Sequence, residues 1–208
     1  KKGVFKMNEL KKVTNPKVSV SEGIKLNLGC GSKILDGYIN VDKFDYYNVD
    51  RVHDLEKFPY PFGDDTVNEI ILSHVLEHIG QNPDTFNEIL KELYRICKNQ
   101  AIINIAVPHP RHDDFISDPT HVRPITVLGL SLYNKQLNDE WAQKGAANTP
   151  LGLIHDVDFR ISEVNYVIED EIMTKHQNGE LDRLELEFYM KHYNNVIKQI
   201  NIKWIVNK

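Results

Sequence analysis

Apolar positions along the chain fall into two periods. Compact runs of Val, Ile and Leu, each bounded by glycine, proline or an acid, predict buried strands. They are "IKLNLG" at 24–29, "YINVD" at 38–42, the weaker "VDRVHDL" at 49–55, a segment within "TVNEIILSHV" at 66–75, and "AIINIAVP" at 101–108. Before the last of these, Phe86, Ile89, Leu90, Leu93, Tyr94 and Cys97 recur at helical spacing behind Asn82 as N-cap and Pro83 as first helical residue. A short helix is expected over 4–13, a linker over 14–23 broken by Pro16 and Gly23, and an irregular loop over 57–65, where Pro59 and Pro61 forbid regular structure. Strands that are apolar throughout and alternate with helices predict an α/β fold, with a mainly parallel sheet covered on both faces.

The second half reads differently. "PHPRHDDFISDPTHVRP" (108–124) is a polar loop of seventeen residues, a length that in compact domains usually carries function. A helical segment follows over about 125–144, with Gly145 as its stop. Residues 156–170 and 196–208 read as long strands, and Ile200, Ile202, Trp204 and Val206 alternate with polar positions in the second. This pattern predicts an antiparallel pair near the sheet edge, with an amphipathic helix over 180–194 between its members. The organisation expected is a single domain over 1–208, with 1–23 as an N-terminal extension and 108–155 as an insertion on the substrate side.

Composition narrows the partners. The chain has 208 residues, 41% of them hydrophobic and 26% charged, which suits one domain with a substantial core. A net charge of -5 disfavours a nucleic-acid backbone or an anionic membrane as the main partner. The two cysteines, Cys30 and Cys97, form no CxxC or zinc pattern, so they are expected to be reduced thiols in a cytoplasmic protein. There is no apolar run long enough for a membrane-spanning helix, and the basic start lacks the apolar core of a secretory signal.

The densest chemistry lies in "KLNLGCGSKILDGYINVDK", residues 25–43. In open parallel sheets, ligands bind beyond the carboxyl ends of the strands. There Gly29 and Gly31 let the backbone approach a ligand at positive φ. Asp42, ending the next strand, is placed to accept hydrogen bonds from two ribose hydroxyls, a task that suits an acceptor-only carboxylate. Ser32, Lys33 and Ile34 follow Gly31, so GxGxxG is absent and a dinucleotide site is disfavoured; GxxxxGK[ST] is absent too. Asp54 ends the third strand, where its carboxylate can take an adenine amine while Leu55 lends its backbone N–H and packing. "SHVLEHI" opens over the same crevice after the fourth strand.

In this order, "LNLGCG", "INVD", "DLEKFPYPFGDDTVNEIILSHVLEHI" and "ILKELYRICKNQAIINIAVP" resemble the successive motifs of class I S-adenosylmethionine-dependent methyltransferases, above all the small-molecule type 11 group. The resemblance covers about residues 24–108. It implies a Rossmann-like seven-stranded sheet with an antiparallel last strand, and S-adenosylmethionine as cofactor, leaving as S-adenosylhomocysteine. It also implies that Gly29, Cys30 and Gly31 line the methionine part, that Asp42 holds the ribose and Asp54 with Leu55 the adenine, and that Ser73 and His74 flank the methionyl group. Two departures stand out: the segment from Gly31 to Asp42 is too short for the usual first helix, and "KNQ" stands where the family often has a glycine pair.

The loop after the fifth strand carries His109, Arg111, His112, Asp113, Asp114, Asp118, His121 and Arg123. Three readings of it stay open. In the first, His112 or His121 is a general base for a hydroxyl acceptor, and His109, Arg111 and Arg123 contact an anionic or sugar-like substrate. In the second, His109, His112, Asp113, Asp118 and His121 hold a divalent metal. In the third the loop is structural. His74 is a further catalytic candidate because it lies nearest the crevice; Glu77 and His78 read as local hydrogen-bonding structure. His155 and Asp156 read equally well as a strand start, and Tyr189, His192 and Tyr193 as a packed helix face. The expected function is methylation of a small or carbohydrate-like acceptor, on oxygen rather than nitrogen. A non-catalytic cofactor-binding partner protein and aminopropyl transfer on the same fold are the alternatives. DNA methylation is disfavoured, since "SHVL" stands where [DNS]PP[YF] would be.

Overall fold

Leu26, Leu28, Ile70, Leu72, Ile103, Ile105, Ile202 and Trp204 lie at alternate positions of successive strands, and all are buried. They give the central sheet one continuous apolar face. The computed structural model describes the backbone of residues 4–6 and, in full, residues 23–208. Its strands are β1 (Val4–Lys6), β2 (Ile24–Leu28), β3 (Ile39–Asp42), β4 (Arg51–Val52), β5 (Val67–Ser73), β6 (Cys97–Pro108), β7 (Phe159–Ile168) and β8 (Ile197–Val206), in the order β1-β7-β8-β6-β5-β2-β3-β4. The pairs β2/β3, β3/β4, β2/β5 and β5/β6 are parallel. β8 runs antiparallel to both β6 and β7, so the last strand is reversed as the sequence implies, but it is inserted between its neighbours.

β1 adds an eighth strand, antiparallel to β7, where the sequence suggests the start of a helix. The rest of that expected helix, 7–13, and the linker through 22 lie outside the described residues.

Helix α1 (Pro83–Ile96) begins as expected, with the Asn82 side chain accepting the Asp84 N–H at 2.8 Å, and it lays Phe86, Ile89, Leu90 and Leu93 on the apolar face. Short helices α2 (Asp113–Ile116), α3 (Val127–Ser131), α4 (Lys135–Gln143) and α5 (Leu151–Ile154) follow β6. The single helix expected over 125–144 is therefore split. Asn134 caps α4, and its amide and the Lys135 N–H are both drawn to buried Asp158 at 3.0 Å, which turns the chain between α3 and α4. Gly145, at φ 69°, ends α4 as expected. Tyr133, from that turn, meets Phe86 and Trp204 edge-on, and Phe159 stacks on Trp204 at 4.4 Å. Helices α6 (Asp170–Gln177) and α7 (Arg183–His192) close a second cluster on Ile168, Val196 and Ile197. α7 starts at the capping box of Asp182 and Glu185; α6 is an addition to the expected elements.

The opposite face of the sheet is polar. Lys25 pairs with Glu69 at 3.1 Å, Asn104 donates to Glu69 at 3.1 Å, and Lys203 pairs with Glu163 at 3.2 Å. A trough of about 430 Å³ runs over this row, reaching Ser73 and Ala106. Among the described residues no helix covers this stretch of the face. The reason is local: the connections 29–38 and 43–50, which a doubly wound sheet fills with helices, are loops.

Two buried asparagines do the work of the missing first helix. Asn27 and Asn40 are direct neighbours on β2 and β3. The Asn27 amide donates to Lys33 O (2.7 Å) and Asn40 Oδ1 (2.9 Å), which also accepts the Leu35 N–H. The Asn40 amide donates to Leu35 O, Tyr38 O and Asp50 Oδ2. The short connection is thus held by hydrogen bonds rather than by apolar packing. Asn40→Ala strands several buried groups and is expected to cost about 2–4 kcal/mol in urea unfolding.

Candidate active site

The carboxyl ends of β2, β3, β4, β5 and β6 share one rim. Gly29 and Gly31 end β2 at φ 64° and 49°. A Cβ on Gly29 would stand 2.6 Å from Val75 Cγ2, so that glycine is required by packing as well as by conformation. A Cβ on Gly31 would meet nothing within 4 Å, so the turn presents bare backbone to open space. Cys30 between them is buried, and burial first, then the nearby Asp42 charge, pushes its thiol above the usual range. It is a neutral wall, not a nucleophile.

Asp42 faces this turn. Its Oδ2 accepts the Gly31 N–H at 2.9 Å and its Oδ1 accepts the Phe44 N–H at 3.0 Å. One acceptor position on each oxygen is left for a ligand. The backbone joins the neighbouring strand ends: Cys30 N–H donates to Val41 O at 3.0 Å and His53 N–H to Asp42 O at 2.8 Å. Asp54 is therefore on the same rim as Asp42. Its carboxylate takes Lys43 Nζ at 3.1 Å and the Glu56 N–H at 3.0 Å. Burial works against its charge, but these two partners prevail and hold the carboxyl below the ordinary range. Leu55 is buried beside it, and its carbonyl is fixed by the Tyr60 hydroxyl at 2.8 Å.

At the end of β5, Ser73 is half-buried and His74 adopts φ 56°. The His74 ring lies between Glu77 Oε1 (3.2 Å from Nδ1) and Gln199 Oε1 (3.0 Å from Nε2). Glu77 chiefly, against the opposing effect of burial, raises its pKa above the ordinary histidine value. Both ring nitrogens of His74 are thus engaged by side chains.

The segment Leu76–His78 is a single 3-10 turn, and the β6 loop docks on it. Glu77 O accepts the N–H groups of Val122 (2.8 Å) and Arg123 (3.2 Å). The Arg123 guanidinium donates to Gly80 O at 2.6 Å and lies 4.3 Å over the Phe86 ring. Arg111 likewise donates to Met190 O and Lys191 O on α7. Both arginines expected at the substrate are committed to backbone carbonyls, which moors the loop at its two ends.

The histidines of the loop then separate. His112 is buried: its Nδ1 accepts the Asp114 N–H (3.0 Å) and caps α2, and its Nε2 donates to Glu169 (2.8 Å). Neither nitrogen has a free lone pair. His109 Nδ1 accepts the Arg111 N–H at 3.2 Å; burial, then Arg111 and His112, push this imidazole down to about 4. His121 is different. Its Nδ1 donates to Phe115 O at 2.7 Å, and its ring stacks on Phe115 and meets His78 edge-on at 4.5 Å. His78 Nδ1 lies 2.9 Å from Thr120 Oγ1, whose own proton goes to Asp118 at 2.6 Å, so His78 donates there. Both rings thereby carry their proton on Nδ1, and the Nε2 of His121 faces Asp118 Oδ2 at 3.8 Å, beyond hydrogen-bond distance.

The structure thus gathers Gly29, Gly31, Asp42, Asp54, Ser73 and His74 on one rim, with His121 packed on His78 in the turn that follows β5. It takes His155 and Asp156 away, to the amino end of β7, where Asp156 pairs with Lys135. Among the described residues His109, His112 and Asp113 do not converge with His121 on a common point. Sequence reading set Glu77 and His78 aside, and their setting shows why they matter: Glu77 is 0% exposed and His78 lies against His121. The adjacent acid and histidine directly after a strand end, in "HVLEH", are the signal that could have found them.

The sequence matches no family model and no curated protein. Among solved structures, the chain superposes on a SAM dependent methyltransferase from Archaeoglobus fulgidus with a TM-score of 0.53 at 18% identity, over 88% of this chain and 86% of that one. Further neighbours are the YcgJ protein from Bacillus subtilis (TM-score 0.49, 13% identity, 90% and 93% covered) and an S-adenosylmethionine dependent methyltransferase from Mesorhizobium loti (0.48, 14%, 89% and 92%). The fold is a Rossmann-like one shared with the SAM dependent methyltransferase from Archaeoglobus fulgidus. At this identity the likeness is one of architecture, and the rim described above lies where open parallel sheets place their ligands. The reversed last strand inserted beside β6 is the fold's remaining expected feature, and it is present. Among the described residues no helix is long and apolar enough to cross a membrane.

Proposed function

We propose that the protein is an S-adenosylmethionine-dependent methyltransferase that methylates a hydroxyl of a small or carbohydrate-like acceptor. The observation that carries this reading is the glycine turn with its facing acids. Gly31 offers bare backbone to open space, Asp42 keeps free acceptor positions beside it, and Asp54 with Leu55 stands one strand further along. Those groups suit a methionine chain, a ribose diol and an adenine amine in that order. When bound, the cofactor supplies an electrophilic sulfonium methyl group.

The chain's own task is then alignment and proton removal. Of the candidate bases, His112, His109 and His74 are engaged by neighbouring groups. The His78–His121 pair alone among these keeps Nε2 lone pairs, so the hydroxyl proton is lost at that pair, with His121 as the base. A cavity of about 410 Å³ at the same end of the sheet, lined by His109, Tyr166, Met190, Lys191 and Ile197 among others, offers room for a small acceptor.

Titration calorimetry with S-adenosylhomocysteine tests the reading. One site per chain, in the micromolar range that such contacts give, is the expected result. Absence of heat, with the protein folded, would overturn it.

A further inference from the structure

Glu77 is fully buried, and neither of its carboxylate oxygens receives an aligned hydrogen bond. His74 Nδ1 stands 3.2 Å from Oε1 as an ion-pair partner, which leaves Oε2 with no partner among the described residues. His74 meets only one of the two oxygens, and burying the other without a partner is costly. Beside it are the two imidazoles whose Nε2 lone pairs are free. One ligand atom each from Glu77, His78 and His121 lie within 4.8 Å of one another. We propose that these three residues bind a divalent first-row transition metal, such as Zn²⁺.

The donor set argues for that class of ion. One carboxylate and two imidazoles suit zinc, iron or manganese and leave coordination positions open. The outer contacts are those a metal site requires. Each imidazole gives its Nδ1–H to a fixed acceptor, His121 to Phe115 O and His78 to the Thr120 hydroxyl, which is itself held by Asp118. Such contacts set the tautomer and leave Nε2 as the nitrogen able to take a metal. The donor atoms lie within 4.8 Å of one another, so bonds of about 2.0–2.2 Å to one ion need only a small approach of the side chains. His121 belongs to a loop docked on the Glu77 turn through two backbone hydrogen bonds, so the closure is a small side-chain adjustment.

The site stands whatever the crevice binds. Where the methyl-transfer reading holds, it deepens that reading. A bound ion would make a coordinated acceptor hydroxyl acidic, its proton leaving to solvent water, and His121 would then serve as ligand instead of as bare base.

Zinc titration calorimetry on chelator-stripped full-length protein is the test. Expected is one Zn²⁺ per chain, with affinity lowered at least tenfold in Glu77→Gln and in His121→Ala. His192→Ala, on the exposed side of α7, should bind as the parent does. No saturable uptake, or uptake unchanged in both variants, would overturn the proposal. Nitrogen-15 spectra of the unaltered protein make the test independent of any variant's folding. Zinc should move the Nε2 signals of two histidines that keep Nδ1 protonated, and spectra in which none moves would equally sink it. The same samples titrated with S-adenosylhomocysteine separate the two readings. Zinc uptake without nucleoside binding removes the methyltransferase alone, and nucleoside binding without zinc removes the metal alone.

Discussion

Asp42→Ala is expected to weaken S-adenosylhomocysteine binding by about 100-fold or more. Two hydrogen bonds from a ribose diol to one carboxylate are charge-assisted, and together they are worth about 3 kcal/mol, a factor of roughly 150. The substitution also releases the Gly31 and Phe44 N–H groups, which Asp42 holds at 2.9 and 3.0 Å, so the turn loses definition as well as the ligand its acceptor. Asp42→Asn separates the two contributions. An amide oxygen can still accept the Gly31 N–H, but its NH₂ cannot accept a hydroxyl, so a loss of about tenfold is expected. Calorimetry at matched salt measures both. Unchanged affinity in the alanine variant would place the ribose elsewhere.

That double role of Asp42 marks the limit of what the sequence makes legible. Strand ends and their chemistry could be read because apolar runs and glycines act locally: β2, β3, β5 and β6 and the turn at Gly29 and Gly31 stand within a few residues of their expected places. What escaped depends on contacts between distant segments. Asn27 and Asn40 look like polar interruptions of two strands until the register places them side by side over a connection with no helix. Asp158 looks like a strand start, yet it collects Asn134, Lys135 and Asn207 and so breaks a helix that periodicity alone would continue. Arg111 and Arg123 have the charge to hold an anion, but folding commits them to carbonyls on α7 and at Gly80. Burial is likewise invisible in one dimension: nothing in "HVLEH" states that Glu77 is wholly covered while His74 is 42% exposed in its side chain.

His121→Ala should lower turnover by about 10²–10⁴-fold, the usual range for loss of a positioned proton acceptor, while S-adenosylhomocysteine affinity stays within about threefold. The split is expected because the His121 imidazole is held by Phe115, His78 and the docked loop, none of which belongs to the glycine turn or its acids. The outcome is the same whether the imidazole acts bare or through an ion, since either route loses its Nε2. Release of S-adenosylhomocysteine, followed over a panel of sugars and other hydroxylated small molecules, provides the measurement. His112→Ala serves as the contrast. It removes the acceptor for the Asp114 N–H and the donor to Glu169 at 2.8 Å, so it should lower thermal stability, and its residual folded fraction should turn over at the parent's rate. A large loss in His112→Ala protein that remains folded, with His121→Ala near the parent rate, would exchange the roles of the two histidines and remove the 3-10 turn at Glu77 from the chemistry.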